Sequence, residues 1–235
     1  MAANYQVFIS YGMTKAGSTL AFELMRESFL QAGHDQSRLP ATVLDNASHI
    51  NFLDDTRKFG AILAYLEATP SCLVLKTDKR PSPLIVQALR EGRARGHAVY
   101  RDPRDMALSL LDAGHQARAN GWQAFSEIVT LDDAIAAMRH QSKILREWLN
   151  LPGIAAVKYD DVAFRTEATV VAMQEHAGVE ADRALVISEV FENRFTQFNK
   201  GVPARHRNEM RSADAARIKD QFKDLFDDLI EELDE

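Results

Sequence analysis

The residues most able to do chemistry lie in a short stretch, Tyr11-Gly12-Met13-Thr14-Lys15-Ala16-Gly17-Ser18-Thr19. It follows an apolar run, Gln6-Val-Phe-Ile-Ser10, and precedes an amphipathic one, Ser18 to Ala32, in which Phe22, Met25 and Phe29 share a face. The first reads as a buried strand and the second as a helix closed by Gly33. A strand, a glycine-containing loop and a helix N-terminus together make an anion site, because free backbone N–H groups and the helix dipole point at the same place. Lys15 stands inside the loop, within reach of the outer end of a bound phosphoanhydride.

Gly12 and Gly17 have the spacing of the ATP-binding loop G-x-x-x-x-G-K-[ST], but Ser18 occupies the position where that loop needs lysine. A second cationic group lies further on. Residues 76–104 hold Lys76, Lys79, Arg80, Arg90, Arg93, Arg95, Arg101 and Arg104, although the 235-residue chain as a whole carries a net charge of −6. A basic middle in an acidic protein suits a small anionic ligand and argues against nucleic acid as a partner.

The elements that must position these groups alternate. Strands read at Ser71–Lys76, His97–Arg101 and Ile154–Tyr159. Helices read from Ser82 to Arg95 and from Pro103, where proline at the first helical position marks the start. The alternation implies an α/β fold in a single domain over residues 1–235, with a mostly parallel central sheet flanked by helices. The last third reads as helical over 164–177, 181–191 and 213–233. In the final helix Ile218, Phe222, Leu225, Phe226, Leu229, Ile230 and Leu233 form a core stripe. Residues 34–54, 112–130 and 192–212 read as irregular, and such loops gather where ligands bind in open α/β folds.

The segment Thr14-Lys15-Ala16-Gly17-Ser18-Thr19 resembles the 5′-phosphosulfate loop of sulfotransferases that use 3′-phosphoadenosine 5′-phosphosulfate (PAPS), roughly P-K-S-G-T-T. Arg101, Pro103, Asp105 and Ser109 match that family's 3′-phosphate motif, R-x-P-x-D-x-x-x-S. Val157-Lys158-Tyr159-Asp160-Asp161 is similar to its Y-E-D element. Phe198-Asn199-Lys200-Gly201-Val202 and Arg207-Asn208 resemble its terminal R-K-G…K-N loop. The four matches stand in family order along most of the chain.

The resemblance implies a P-loop-NTPase-like fold and transfer of a sulfuryl group from PAPS to a hydroxyl or amine of a small-molecule or glycan acceptor, leaving 3′-phosphoadenosine 5′-phosphate (PAP). It implies that Lys15, Ala16, Gly17, Ser18, Thr19 and Leu20 hold the 5′ end of the cofactor. Arg101, Ser109, Tyr159, Lys200, Gly201 and Arg205 hold the remainder. Leu20 stands where the family often has tryptophan, and Asn199 replaces the arginine of R-K-G, with Arg205 nearby as a substitute charge. Lys76-Thr77-Asp78 stands where the family has K-[TS]-H. Lys15 and Lys76 then stabilise the leaving oxygen, and Asp78 takes the place of the catalytic base, with His206 and His115 in reserve.

No metal is expected, since lysines can carry the charge that Mg²⁺ neutralises in ATP enzymes. The competing readings are a P-loop kinase using ATP and a non-catalytic nucleotide-binding protein on the same fold. The sequence shows no apolar run of membrane-spanning length. It opens without a basic region followed by an apolar core, and it contains one cysteine, Cys72. These features lead us to expect a cytoplasmic protein without a disulfide framework. Nothing in the sequence sets the oligomeric state.

Overall fold

The computed structural model of the protein describes residues 5–45, 50–68, 71–194 and 201–230. Among them four strands form one sheet: β1 (Val7–Gly12), β2 (Leu73–Thr77), β3 (Ala94–Tyr100) and β4 (Ile154–Lys158). They lie in the order β2-β1-β3-β4, and every pairing is parallel. A parallel sheet needs both faces covered, and β1 is buried along its whole length. Its alternation divides two cores. Val7, Ile9 and Tyr11 face one, built with α2 (Phe59–Glu67), α3 (Pro83–Arg90), α4 (Pro103–Asn120) and α5 (Leu131–Leu149). Phe8 faces the other, built with α1 (Ser18–Gln31), α6 (Tyr159–Phe164), α7 (Thr166–Ala177) and α8 (Arg183–Glu189). The fold is therefore α/β, with a parallel central sheet flanked by helices.

The chain leaves β1 through α1 on one face and moves toward β2. It then returns across β1 to β3 through α3, and reaches β4 through α4 and α5, on the opposite face. Opposite directions along the sheet require opposite faces if each crossover keeps the right hand. The reversal lies between β1 and β3, whose carboxyl ends open the crevice where such sheets bind ligands. Side-chain caps fix the helices around it. Asp102 accepts from the Arg104 N–H with Pro103 at the first turn of α4, and Thr130 with Asp133 forms a capping box on α5.

Several boundaries differ from the sequence reading. The helix expected to run to Arg95 ends at Arg90, because Gly92 (φ 69) stops it and Ala94 and Arg95 pair with Val7 and Phe8. Residues 112–120, expected to be irregular, continue α4 until Gly121 (φ 68) closes it. The 164–177 segment divides at Arg165, and 181–191 ends in a π-helical turn over Val190–Arg194. The irregular 192–212 stretch holds the short α9 (His206–Glu209). The final helix breaks at Phe222 into α10 (Ser212–Gln221) and α11 (Lys223–Leu229). Ile218, Phe222, Leu225, Phe226 and Ile230 are buried as the stripe requires, while Leu233 lies outside the described residues. No helix among the described residues is long and apolar enough to cross a membrane.

Candidate functional site

The loop after β1 is fixed at both ends. The Met13 N–H donates to the Val99 carbonyl of β3 (3.1 Å), and the Ala16 N–H returns to the Met13 carbonyl (3.1 Å). Between them Lys15 adopts φ 67, a left-handed conformation unusual for a residue with a Cβ. Gly17 follows at φ 77 and caps α1. A Cβ on Gly12 would lie 2.3 Å from Ser18 Cβ, and one on Gly17 2.3 Å from Tyr159 Cδ2. The paired glycines thus let the first turn of α1 and the Tyr159 ring close directly onto the loop. The N–H groups of Ser18, Thr19 and Leu20 open α1 and have no acceptor within the helix.

Two lysines converge on this turn. Lys76, near the end of β2, is 9% exposed and donates from Nζ to Thr19 Oγ1 at 2.7 Å. Lys15 Nζ lies 5.6 Å from the centre of the Phe125 ring. Burial pushes both ammonium groups below the ordinary lysine range, and the neighbouring Arg101 charge pushes Lys15 down further. Both sites would gain from an anion. Asp78 follows β2, half-buried, with Lys79 Nζ 3.1 Å from its Oδ1. Its charge acts on Lys76 and on the buried Tyr11.

Arg101 emerges from the end of β3 and is 5% exposed. Its guanidinium lies over the Tyr159 ring, 4.1 Å from the centroid. The nearest carboxylate contact, to Asp105, is 3.8 Å, too long for a hydrogen bond, and Arg101 Nε has no hydrogen-bond partner among the described residues. Asp105 is committed elsewhere: its Oδ1 accepts from the His206 backbone N–H and is 2.9 Å from His206 Nδ1. Burial works to raise the Asp105 carboxyl, but the His206 bonds and the Arg101 charge hold it below the usual range. Ser109 is buried one turn further along α4.

The other sequence candidates are placed differently. Leu20 is 1% exposed and packs into the core beneath α1, so its side chain offers no surface to a base. Arg205 is held between Asp112 (2.8 Å) and Glu209 (2.7 Å), which raise its pKa and offset its charge. Gly201 is at φ 62, and Lys200 lies outside the described residues. His206 is tied to Asp105, and His115 lies exposed on α4.

The crevice thus gathers Lys15, Ala16, Gly17, Ser18, Thr19, Lys76, Arg101 and Tyr159. Sequence reasoning missed two groups beside them. Gln141 of α5 accepts from the Thr14 N–H through Oε1 (3.2 Å), and Phe125 lies beneath Lys15. Neither belongs to a local motif, so no sequence signal marks them.

No family model matches the chain, and no curated protein matches it in sequence. Solved structures do match in shape. Mouse sulfotransferase SULT7A1 complexed with PAP superposes with a TM-score of 0.62 at 12% identity, covering 97% of this chain and 87% of that one. The fold is sulfotransferase-like. Retinol dehydratase in complex with androsterone and inactive cofactor PAP gives 0.57 at 14% identity, covering 95% and 81%.

The donor set, a helix start with two lysines and a separate buried arginine, suits anionic groups. A glycine cradle that a Cβ would fill and a buried guanidinium with an orphaned Nε both adjoin the Tyr159 ring. Among the described residues no cluster of His, Cys, Asp or Glu could hold a metal ion.

Proposed function

We propose that the protein, as one domain over residues 1–235, is a PAPS-dependent sulfotransferase acting on a hydroxyl or amine. The observation that carries this reading is Arg101, a buried guanidinium beside the phosphate-type loop with donor capacity its neighbours leave unused. A buried polar group without a partner costs about 1–3 kcal/mol, and a phosphate at that point would remove the cost. Arginine suits the task because its planar fork donates in pairs.

PAPS, when bound, supplies the sulfuryl group and leaves as PAP. The N–H groups of Gly17, Ser18, Thr19 and Leu20, with Ala16 closing the loop, cradle the 5′-phosphate. Lys15 neutralises charge at the bridging oxygen. Lys76 fixes the Thr19 hydroxyl and adds a second positive charge at the same helix start. Arg101 and Ser109 grip the 3′-phosphate, joined by Lys200 and Gly201. The Tyr159 ring backs the Arg101 guanidinium. Arg205 contributes by fastening the 201–209 segment to α4, since two carboxylates offset its charge. Asp78 accepts the proton that the acceptor loses.

Calorimetry with PAP, 5′-AMP and ATP–Mg²⁺ tests this reading. PAP is expected to bind at micromolar level or tighter without metal, and the other two much more weakly. Equal affinity for PAP and 5′-AMP would remove the 3′-phosphate site from the argument.

A further inference from the structure

Beside the phosphate-type loop lies a cavity of about 180 Å³. Its walls are Met106 and Leu110 from α4, Ala137 and Met138 from α5, and Phe125 and Ile128 from the connection between those helices. Thr14 of the loop and Gln141 also line it, and the hydrogen bond between them ties the cavity to the loop. The Phe125 ring is a wall of the cavity and also lies under Lys15 Nζ.

The wall is built in place. A Cβ on Gly114 of α4 would lie 2.0 Å from the Ile128 carbonyl, so only glycine lets the connection pack there. Arg118 donates to the carbonyls of Ser126 (3.1 Å) and Ile128 (2.7 Å). Phe125 is held at φ 70, with its carbonyl accepting from the Ile128 N–H at 2.9 Å. Backbone strain of this kind persists where the surroundings over-determine it, and it clusters at ligand sites.

We infer that this cavity is the acceptor site and that the acceptor is a single-ring phenol, neutral or carrying an amine. The inference rests on the sulfotransferase reading above. An apolar cavity of roughly 150 Å³ accommodates benzene. The space beside Lys15 therefore takes one ring and a short substituent, and a fused polycycle does not fit. Thr14, Gln141 and Glu127 are the polar groups of a mostly apolar lining, too few to pair the many hydroxyls of a sugar, which disfavours a glycan. Glu127, an exposed carboxylate, also lines the cavity and selects against an anionic substituent.

The test measures transfer from PAPS to 4-ethylphenol, tyramine, 4-hydroxyphenylacetate, 17β-estradiol and glucosamine, with PAP affinity measured in parallel. The first two are expected to exceed 4-hydroxyphenylacetate in kcat/KM by about tenfold, since the exposed Glu127 repels the anion on the scale of a charge pair in largely aqueous surroundings. Estradiol and glucosamine should not turn over. Ala137→Leu fills the cavity and should raise KM for 4-ethylphenol by about tenfold or more, the effect of removing space for one or two buried methylenes, with PAP affinity unchanged. Glu127→Lys changes an exposed side chain and should reverse the order of tyramine and 4-hydroxyphenylacetate. If PAP binds but estradiol or glucosamine is the better acceptor, or no phenol of the set reacts, the inference is overturned. The same holds if both variants leave the order and KM unmoved. Failure of the wild type to bind PAP would instead overturn the sulfotransferase reading.

Discussion

Replacing Arg101 by alanine separates a ligand-binding role from a structural one. In the free protein its guanidinium is buried, rests on the Tyr159 ring at 4.1 Å and stands 3.8 Å from Asp105, with Nε unpartnered. Removing it sacrifices a cation–π contact worth about 0.5–2 kcal/mol. It also removes an orphaned buried donor that costs about 1–3 kcal/mol. Asp105 keeps its two His206 contacts and is not left bare. These effects oppose each other, and loss of the Arg101 charge that helps keep the buried Asp105 ionised adds to the cost, so the unfolding free energy of the ligand-free variant should fall by no more than about 1–2 kcal/mol.

Bound PAP presents a different balance. A hydrogen bond to a charged group is worth about 1.5–3 kcal/mol, so loss of the fork should weaken PAP by about 3 kcal/mol, near 150-fold in Kd. Affinity for 5′-AMP, which lacks the 3′-phosphate, should change by no more than about twofold, since no charge-assisted bond to it is lost. Urea unfolding and calorimetry with both nucleotides measure the three quantities. Equal losses for PAP and 5′-AMP, or a large loss of stability with PAP affinity intact, would show that Arg101 holds the fold and not the 3′-phosphate.

Gly17→Ala forces a Cβ against the Tyr159 ring at a positive φ. It should cost about 1–3 kcal/mol in urea unfolding and weaken PAP; an unchanged midpoint would mean that the loop has room to relax. Asp78→Asn keeps the shape and removes the proton acceptor, so turnover should fall by roughly 10²–10⁴. Retention of the rate within a few-fold would transfer the search for a base to other groups. PAP affinity should fall as pH rises through the lowered titration range of Lys15 and Lys76. Burial lowers Lys15 and Lys76 in the free protein, the anion favours their charged forms, and binding above their pKa must take up protons. Calorimetry at alkaline pH in buffers of different ionisation enthalpy detects that uptake, and an affinity flat across the range would separate both lysines from the anion.

The strand, the loop with Lys15 and its two glycines, and the helix start at Ser18 follow from sequence alone, because each rests on backbone chemistry within a few neighbours. Arg101 at a strand end and the Pro103 helix start are local in the same way. What tertiary structure decided is who meets whom. Strand order brings Gly12 opposite Val99 and so sets Arg101 beside a loop far away in the chain. Packing lays Tyr159 against Gly17 and Arg101, and it pairs Arg205 with Asp112 and Glu209. Packing also breaks the last helix at Phe222, whose apolar stripe reads as continuous. A side chain's charge partners and a cavity's walls come from elements with no fixed separation along the chain. Their geometry is set by how the helices fill space against the sheet, which no local pattern of residues records.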